Sequence, residues 1–504
     1  MASPAFDPAP FDAALFDTAR AQAARLSAHF IDGRWLAARG EGIPVLDPAD
    51  ESVLGHVPAG GEAEVDRAVA AARRAFENPA WANMPPARRE SLLLRLADLV
   101  EAHQDELAAL ETLDNGMPFL ASRAMAVGSA ISSIRYNAGW PRRMTGDHVP
   151  ISVPGNWHGY TTHDPLGVAA LIVPWNAPFA ITCSKLSAAL AAGCTVVLKP
   201  AELTPFTALR LAQLVQEAGF PDGCVNVVTG LGAEAGAALA AHPGIDKISF
   251  TGSTATGKSI LRQSTDMLKR VSLELGGKSA VIVFPDADLD RAVPGVAMGI
   301  FGNSGQVCAA GSRLFLHEAI FDRFLERLVA FTQKLKVGAG SDPSVQLGPL
   351  ISAAQRARVT GYIEAGLAEG ASLAVGGGAP SGPGFFVNPT IFVDARPEMT
   401  IVREEIFGPV LSVMRFSDDS FEDLARKAND SIYGLSAYVW TRDLARAQAM
   451  AKRLRSGSVK INGAGMEFAL PFGGYRQSGT GRENGRDGVE AFTETKAVMI
   501  GWTE

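Results

Sequence analysis

Short runs of consecutive apolar residues alternate with longer helical stretches along most of this chain. Apolar runs bounded by glycine or proline occupy residues 168–173, 195–198, 225–228 and 247–250. Stretches rich in Ala and Leu at helical spacing lie between them, at 184–192 and 204–218. Strands that are apolar throughout, with helices between them, are typical of a parallel sheet covered on both faces. The pattern therefore predicts an α/β fold.

The same alternation begins again after Gly276 and Gly277. Further strands are predicted at 280–284, 410–416 and 436–439, and a helix at 321–336. A chain of 504 residues is too long for one hydrophobic core. We therefore expect two successive α/β domains, and the cleft between them is the usual place for a cofactor and a substrate.

Three stretches before the first of these strands also carry apolar residues at helical spacing. Two of them predict helices at 63–76 and 88–114, the second ending at the breaker formed by Asn115 and Gly116. The third is an extension, residues 1–26, whose helical stripe consists of Phe11, Leu15, Ala19, Ala23 and Leu26. We predict that this amphipathic segment packs on the body of the protein or on a neighbouring subunit.

Composition and charge argue against several classes of partner. The net charge of -7 is unsuited to binding a nucleic acid, which draws on clustered Lys and Arg. The basic residues Arg476, Arg482 and Arg486 are interleaved with acidic ones, so they indicate a solvated face. Since no apolar stretch is long enough to span a bilayer, no membrane partner is predicted.

The cysteines and the N-terminal composition indicate a reducing compartment. The 4 cysteines form no disulfide framework and have no zinc-site spacing, so we predict free thiols and no metal site. Asp7, Asp12 and Asp17 interrupt the first residues, which argues against a secretory or mitochondrial targeting segment. A cytoplasmic protein is expected.

A glycine-containing turn follows the strand predicted at 247–250. Gly252, Ser253 and Gly257 stand where a helix begins, and backbone amides at such a turn can bind a phosphate. Residues 252–259 also match the P-loop pattern of an NTPase. Against that alternative, the next apolar strand is followed by Pro285 before Asp286, whereas a P-loop enzyme needs a magnesium-binding Asp directly after the strand.

Two weaker features also indicate a nucleotide-binding site. Gly230, Gly232 and Gly236 resemble the dinucleotide fingerprint, with spacing one residue too long. Lys199 and Glu202 follow an apolar strand directly, where a carboxylate can accept hydrogen bonds from a ribose diol and repel a 2′-phosphate. The alternative is that these two side chains only cap the next helix.

Cys308 is the candidate nucleophile. It is flanked by small residues and glycines, whereas Cys183, Cys194 and Cys224 lie in apolar runs and are predicted to be buried. A thiol must become a thiolate to attack, which requires a pKa below its usual value of about 8.5.

Two further polar residues stand at positions suited to catalysis. Glu274 lies between two leucines where the two α/β units meet, a placement that suits a general base, and the alternative is a Glu in a salt bridge. Asn176 follows an apolar strand and could donate a hydrogen bond to an oxyanion, or else cap a helix.

Together these segments resemble the aldehyde dehydrogenase superfamily. The matching pieces occur in the family's order and spacing and span nearly all of residues 30–500. They are 173–176, 199–202, 250–257, 273–278, 305–308, 404–409 and 471–474.

The resemblance implies a role for each matching residue. Cys308 would be the nucleophile, Asn176 with the Cys308 amide the oxyanion hole, and Glu274 the base that activates water. Lys185 and Glu483 would relay protons. The implied cofactor residues are Val173, Pro174, Trp175, Lys199, Glu202, Gly232, Gly236, Phe250, Gly252, Ser253, Gly257, Leu275, Glu405 and Phe407. The implied substrate positions are Ala177, Ala180, Ile181, Ser184, Met466 and Phe468.

The resemblance also implies a domain organisation. A Rossmann-like NAD-binding domain would comprise residues 27–140 and 165–275, and a catalytic domain residues 276–478. A small β extension, residues 141–164 and 479–504, would pair subunits into a homodimer or homotetramer.

The implied reaction is NAD-dependent oxidation of an aldehyde to a carboxylic acid, through a thiohemiacetal and a thioester on Cys308. Glu202 favours NAD over NADP, and Glu274 favours hydrolysis over transfer to coenzyme A. Since several of the substrate positions are small and none is an Arg, we expect a bulky apolar aldehyde rather than a semialdehyde. A CoA-acylating enzyme, a semialdehyde dehydrogenase and an inactive binding relative are the alternatives.

Overall fold

The structure, a computed structural model, describes residues 13–37, 42–417, 420–463 and 465–503. The fold is α/β, as predicted, with two sheets that contain parallel strands. The strands are β1 (Ala28–Ile31), β2 (Arg34–Ala37), β3 (Ile43–Leu46), β4 (Val53–Val57), β5 (His148–Val149), β6 (Asn156–Pro165), β7 (Val168–Ile172), β8 (Thr195–Lys199), β9 (Val225–Val227), β10 (Lys247–Thr251), β11 (Arg270–Glu274), β12 (Ala280–Val283), β13 (Arg313–His317), β14 (Ser372–Val375), β15 (Thr390–Val393), β16 (Val410–Phe416), β17 (Ser436–Trp440), β18 (Ser458–Ile461), β19 (Gly479–Thr480) and β20 (Thr493–Trp502).

The α-helices connect these strands and cover the sheets. They are α1 (Ala13–Arg25), α2 (Glu62–Glu77), α3 (Pro79–Ala82), α4 (Pro86–Ala102), α5 (Gln104–Asn115), α6 (Phe119–Ala121), α7 (Gly128–Ala138), α8 (Pro178–Ala192), α9 (Phe206–Ala218), α10 (Ala237–Ala241), α11 (Thr254–Gln263), α12 (Leu289–Phe301), α13 (Phe321–Thr332), α14 (Ala353–Ala368), α15 (Thr400–Arg403), α16 (Phe421–Ala428), α17 (Leu444–Arg453) and α18 (Gly485–Glu490). In the part of the chain that the structure describes, no helix combines the length and apolar character needed to cross a membrane.

The first sheet has eight strands in the order β19-β11-β10-β7-β8-β9-β1-β2. The five central strands are parallel, and β19, β1 and β2 are added antiparallel at the edges. Side chains of β7, β8 and β9 are buried at every position, as expected of a sheet covered on both faces. The strand order reverses beside β7, between β8 on one side and β10 on the other, and such a switch point is where open α/β sheets bind ligands.

The second sheet has seven strands in the order β14-β15-β16-β13-β12-β17-β18. All its pairs are parallel except β14 with β15. Separate apolar clusters fill its two faces. Gly276 and Gly277 lead directly from β11 of the first sheet to β12 of the second, so the two sheets meet at this dipeptide.

A third, antiparallel sheet is formed by β20, β6 and β5. Strand β20 pairs with β6 along ten residues, from Thr493 opposite Pro165 to Trp502 opposite Asn156. This is the small β extension that the resemblance implied. Strand β19, which lies in the same predicted C-terminal segment, instead pairs with β11 at the edge of the first sheet. The residue boundaries of the domains stay a prediction.

Most predicted elements occur within a few residues of their expected ends. The predicted helix 88–114 is the exception, because it is divided into α4 and α5 at His103. The backbone of His103 leaves the helical region, and its Nδ1 lies 2.6 Å from Glu106 Oε2 in the first turn of α5. The predicted N-terminal helix corresponds to α1, although Phe11 lies outside the described residues.

Candidate active site

Cys308 lies in the loop between α12 and β13. Asn303, Ser304 and Gly305 have φ angles of 50°, 52° and 73°, so three consecutive residues adopt the left-handed conformation just before it. An added Cβ at Gly305 would lie 2.0 Å from the carbonyl oxygen of Gly408, and only glycine permits this approach. The Ser304 hydroxyl donates to the carbonyl of Gly348 at 2.6 Å. The loop is therefore held against two neighbouring segments.

The four thiols differ in accessibility in the way the sequence predicts. Cys183, Cys194 and Cys224 are buried, and Cys308 is partly exposed. Removal from water, followed by the negative charges of Glu405 and Glu274, raises the pKa of Cys308 to about 12. Cys308 is therefore a neutral thiol at pH 7 and needs a base before it can attack.

Asn176 is brought to the Cys308 loop from the end of β7. Its side-chain amide donates to the carbonyl of Gln306 at 2.9 Å, two residues before Cys308. Two other amides bind the Asn176 backbone carbonyl: Asn303 Nδ2 at 2.8 Å and Asn115 Nδ2 at 3.4 Å. Hydrogen bonds to the side chain and to the backbone carbonyl thus fix the orientation of Asn176.

Asn115, Asn303 and Gln306 were not predicted as functional residues. The sequence marks Asn115 only as part of a helix stop, and the structure shows its amide donating to the carbonyl of Trp175 at 2.7 Å. Gln306 is fully buried, and its side-chain oxygen accepts from the Ile351 backbone at 2.9 Å. A buried amide in an otherwise small-residue loop is the signal that could have identified Gln306.

Glu274 is the last residue of β11 and is 2% exposed. Neither carboxyl oxygen has a hydrogen-bond partner among the described residues, so the salt-bridge alternative does not apply. Burial, and then the nearby charge of Glu483, raise the pKa of Glu274 well above its usual value. A carboxyl group in such surroundings can accept a proton near neutral pH.

The two glycines after Glu274 allow the two sheets to approach closely. A Cβ at Gly277 would lie 2.4 Å from the carbonyl oxygen of Cys308. The Gly277 amide donates to Glu405 Oε1 at 2.8 Å. Glu274, Cys308 and Glu405 are thereby gathered around one short stretch of backbone.

Lys185 and Glu483, the two residues predicted to relay protons, form an ion pair. Lys185 lies on α8 and is buried, and its Nζ also donates to Ser249 Oγ at 2.9 Å. The charges of both members act on Glu274, that of Lys185 lowering its pKa and that of Glu483 raising it.

The predicted cofactor residues lie around the switch point of the first sheet. Ser253 caps α11 by accepting from the Thr256 amide at 3.1 Å, and the helix N-terminus is suited to a phosphate. Across the switch point, the ring of Trp175 meets that of Phe407 edge to face, with centroids 5.3 Å apart. The remaining predicted members of this group are buried or half-buried around these two features: Val173, Pro174, Phe250, Gly252, Gly257, Leu275 and Glu405.

An ion pair between Lys199 and Glu202 marks the end of β8. Lys199 Nζ lies 2.9 Å from Glu202 Oε2. A Cβ at Gly232 would lie 3.9 Å from Glu202 Oε1, and one at Gly236 would lie 3.8 Å from Lys199 Cδ. Both glycines therefore lie against this ion pair, Gly232 next to the Glu202 carboxylate, and a carboxylate at the end of a strand suits a ribose diol. The residues present therefore fit a nicotinamide dinucleotide.

The predicted substrate positions come from α8 and from the loop before β19. Ala177, Ala180, Ile181 and Ser184 recur at helical spacing and are half-buried, while the remainder of α8 is buried. Ser184 Oγ donates to Asn484 Oδ1 at 2.8 Å. From the loop, Met466 is exposed and Phe468 is half-buried.

Comparison with known proteins agrees with this arrangement. The aldehyde dehydrogenase family model matches residues 35–498. A phenylacetaldehyde dehydrogenase of Pseudomonas fluorescens is 45% identical over 480 residues, which cover 94% of this chain and 95% of the relative.

Solved structures show the same similarity. An NAD+ complex of an aldehyde dehydrogenase from Bacillus cereus superposes with a TM-score of 0.92 at 46% identity, covering 95% of this chain and 97% of that one. An indole-3-acetaldehyde dehydrogenase of P. syringae, in complex with NAD+ and IAA, has a TM-score of 0.92 at 40% identity, covering 96% and 99% of the two chains.

Fold, site and comparisons define an oxidoreductase that uses a nicotinamide dinucleotide, NAD or NADP. The chain belongs to the aldehyde dehydrogenase family. This membership excludes the P-loop interpretation of residues 252–259. In the structure, Lys258 is exposed and donates to Gln477 Oε1 at 2.8 Å, whereas a P-loop lysine binds phosphate.

Proposed function

We propose that this enzyme oxidises an aldehyde to a carboxylic acid with NAD, through a covalent thioester on Cys308. The observation that carries the proposal is a partly exposed thiol, Cys308, within the electrostatic influence of the buried carboxyl of Glu274, which has no hydrogen-bond partner among the described residues. The charge of Glu274 contributes to the raised pKa of Cys308, which places the two groups within electrostatic reach of each other.

Cys308 attacks as the thiolate, so the thiol must lose its proton before it adds to the aldehyde. The thiolate adds to the aldehyde carbon, and the carbonyl oxygen takes the negative charge of a thiohemiacetal. We assign the Asn176 amide and the Cys308 backbone amide as the donors that stabilise that oxygen. Because the Asn176 amide donates to Gln306 in the free protein, binding the oxyanion requires it to exchange this partner.

Bound NAD would supply the hydride acceptor for the oxidation. The residues of this chain supply its surroundings: Lys199 and Glu202 for one ribose, and the α11 N-terminus for the phosphates. Glu405 and Phe407 follow α15; the charge of Glu405 acts on Cys308 and the Phe407 ring contacts Trp175, which suits the nicotinamide end.

Hydrolysis of the thioester is assigned to water activated by Glu274. A carboxylate with a raised pKa is a stronger base than an ordinary glutamate, which favours proton removal from water. Transfer of the acyl group to coenzyme A needs no such base. The buried position of Glu274 therefore supports a hydrolytic enzyme.

For the choice of cofactor, we infer NAD from the position of Glu202. Its carboxylate, paired with Lys199, lies where a 2′-phosphate would be repelled. In Glu202→Ser, we expect kcat/KM for NADP to rise at least about tenfold while that for NAD falls. Initial rates with each dinucleotide would measure this, with Glu217→Ser on the exposed face of α9 as the control. An unchanged NADP preference would contradict the inference.

For the substrate, we infer a bulky apolar aldehyde, such as an arylacetaldehyde. Ala177, Ala180 and Ser184 present small side chains on the half-buried face of α8, which leaves room for a wide substrate. One relative is a phenylacetaldehyde dehydrogenase and another an indole-3-acetaldehyde dehydrogenase, in agreement with this choice. Higher kcat/KM for short semialdehydes than for phenylacetaldehyde would contradict it.

We also infer that the enzyme is a homodimer or homotetramer. The antiparallel sheet of β5, β6 and β20 carries exposed large apolar side chains at Trp157, Met499, Ile500 and Trp502. Such a surface favours association with a second copy. Light scattering of the purified protein would measure the mass in solution.

The experiment that tests the main proposal follows NADH absorbance with a panel of aldehydes. We expect Cys308→Ala to abolish activity. We expect Glu274→Gln to give a burst of NADH followed by turnover slowed by about a hundredfold or more, because the thioester forms but is not hydrolysed. Activity that survives without Cys308, or full turnover by Glu274→Gln, would overturn the mechanism. Rescue of the Glu274→Gln turnover by coenzyme A would indicate an acylating enzyme instead.

A further inference from the structure

Asn484 has an unusual backbone conformation beside the candidate active site. Its φ is 58° and its ψ is 174°, close to a region that almost only glycine occupies. A residue with a side chain pays free energy to adopt such a conformation, and residues of this kind concentrate at functional sites. Asn484, which the sequence did not identify, is therefore a candidate functional residue.

Backbone hydrogen bonds fix the segment around Asn484 to the loop before β19. Glu483 and Phe472 exchange two hydrogen bonds, at 2.7 and 2.6 Å, and the Gly485 amide donates to the Phe468 carbonyl at 2.8 Å. Phe468 is one of the predicted substrate positions in this loop. Asn484 is therefore held at one edge of the proposed substrate pocket.

Both the loop and the segment are close enough to Glu274 to affect it. An added Cβ at Gly473, in the loop, would lie 2.6 Å from Glu274 Oε1. The charge of Glu483, the residue directly before Asn484, acts on the carboxyl of Glu274. Asn484 thus belongs to a segment within electrostatic reach of the proposed base.

A side-chain hydrogen bond connects Asn484 to α8. Ser184 Oγ donates to Asn484 Oδ1 at 2.8 Å. Ser184 lies on the half-buried face of α8, together with the predicted substrate positions Ala180 and Ile181. Asn484 therefore joins the two sides of the proposed pocket, which are α8 and the loop before β19. We call Ser184 and Asn484 the polar pair.

The polar pair lines a small cavity. The cavity has a volume of about 10 Å³, and Lys185, Glu483 and Phe492 are among its other lining residues. A space of this size accommodates one oxygen atom with its hydrogens, as in a water molecule or a hydroxyl group. Ser184 and Asn484 are half-buried whereas Lys185 is buried, so the pair lies at an accessible part of the cavity.

The polar pair retains the capacity both to accept and to donate a further hydrogen bond. The Ser184 hydroxyl uses its only proton in the bond to Asn484, and its oxygen keeps lone pairs for an incoming donor. Asn484 Nδ2 carries two protons and donates to none of the described residues. A hydroxyl group matches this arrangement because it also donates and accepts. An ether oxygen only accepts, and an indole N–H only donates.

The position of Ser184 along α8 indicates which part of a substrate the polar pair meets. Asn176, which we assign to the aldehyde oxygen, lies just before the first turn of α8. Ser184 is about two helical turns further on, which is about 10 Å along the helix axis. In an arylacetaldehyde, a group on the ring comes closest to this distance from the carbonyl.

We propose that Ser184 and Asn484 form a polar subsite that binds a hydroxyl group on the ring of an arylacetaldehyde. Asn484 is a specificity residue, whose amide donates to the hydroxyl oxygen while Ser184 accepts the hydroxyl proton. The inference rests on the proposed function and narrows its substrate class to hydroxylated arylacetaldehydes.

The test measures kcat/KM by NADH absorbance for phenylacetaldehyde, for its 2-, 3- and 4-hydroxy derivatives and for the matching methoxy compounds. The enzymes are the wild type, Asn484→Gly and Ser184→Ala. Glycine suits the backbone of Asn484, so Asn484→Gly removes the side chain without adding strain. Ser187→Ala is the matched control, because Ser187 also lies on α8 but is buried, and its hydroxyl donates to the Cys183 carbonyl at 2.6 Å.

In the wild type, we expect at least one hydroxy derivative to exceed phenylacetaldehyde in kcat/KM by about tenfold, because it gains two hydrogen bonds. The matching methoxy compound gains less, since it accepts a hydrogen bond but donates none. In Asn484→Gly and in Ser184→Ala, the ratio of the hydroxy derivative to phenylacetaldehyde falls towards that of the methoxy compound. Ser187→Ala keeps the wild-type ratio. A general structural defect would lower both rates together and leave the ratio unchanged.

A wild-type enzyme with no preference for any hydroxy derivative would overturn the polar subsite. So would a preference that survives in either Asn484→Gly or Ser184→Ala. Failure of the proposed function gives a different result, since none of these aldehydes would then yield NADH, or Cys308→Ala would oxidise them as the wild type does. If phenylacetaldehyde is oxidised through Cys308 without a hydroxyl preference, only the role of the polar pair fails.

Discussion

At the scale of single residues, the side-chain amides of Asn303 and Asn115 hold the backbone of Asn176. Asn303 combines a left-handed backbone, φ 50°, with a hydrogen bond to the Asn176 carbonyl. Asparagine tolerates this conformation better than most residues that carry a Cβ. Asn303 therefore couples the shape of the Cys308 loop to the orientation of Asn176.

Replacement of Asn303 separates these two contributions. Asn303→Gly keeps the backbone conformation and removes the hydrogen bond, so we expect kcat/KM to fall about tenfold with little loss of stability. Asn303→Ala removes both, and we expect a larger fall, about a hundredfold, with a lower melting temperature. Steady-state kinetics and thermal melting measure the two effects. Asn462→Gly is the control, because Asn462 also has a left-handed φ, 55°, but binds Thr441 in the second sheet. Equal kinetics for Asn303→Gly and wild type would show that Asn303 does not orient Asn176.

At the scale of elements, the N-terminal helix α1 is part of the first hydrophobic core. It packs on α5 and β4. Phe16, Ala19 and Ala23 are buried along its inner face, and the Phe16 ring meets that of Phe119 edge to face at 5.7 Å. Helix α5 ends at Asn115, whose side-chain amide donates to the Trp175 carbonyl in the candidate active site. Through its packing on α5, α1 therefore contributes to the stability of a helix that contacts this site.

We expect Phe16→Ala to destabilise the folded protein by about 3 kcal/mol, because it removes a buried ring from this contact. The loss should appear as a lower melting temperature and as faster proteolysis near α1. Asp17→Ala changes the exposed neighbour and should leave both unchanged. If the Phe16 variant melts with the wild type, α1 is not held by this core.

At the scale of the whole molecule, buried carboxyl groups link stability to pH. Glu111 and Asp114 lie on α5, and both are fully buried. Burial raises the pKa of Glu111 from 4.5 to about 8 and that of Asp114 well above its usual value. The folded protein therefore keeps protons that the unfolded chain releases.

The sign of the resulting pH dependence follows from proton binding. The contribution of neutral Glu111 to stability is complete below pH 4.5 and is lost as the pH rises to about 8. Glu111→Gln stays neutral, so its melting temperature relative to wild type should rise steadily between pH 5 and 8. Scanning calorimetry across this range measures the difference, with the exposed Glu77→Gln as the control. A constant difference would mean that Glu111 does not titrate on unfolding.

The types of the elements, and many of the residues that form the site, follow from the sequence alone. Local periodicity decides between helix and strand, which is why β16 begins and ends where its apolar run does. The small residues around Cys308 predict an accessible thiol, and the apolar residues around Cys183 predict a buried one. The structure confirms both.

Only the tertiary structure decided how these residues act on one another. The raised pKa of Glu274 and the anchoring of Asn176 by Asn115 and Asn303 depend on contacts between segments far apart in the chain. The pairing of β19 with β11 depends on the same kind of contact. A local pattern specifies burial and element type because these repeat along the chain. It cannot specify partners, because the local sequence around Glu274 is the same whether its carboxyl contacts a cation, a water molecule or no polar group.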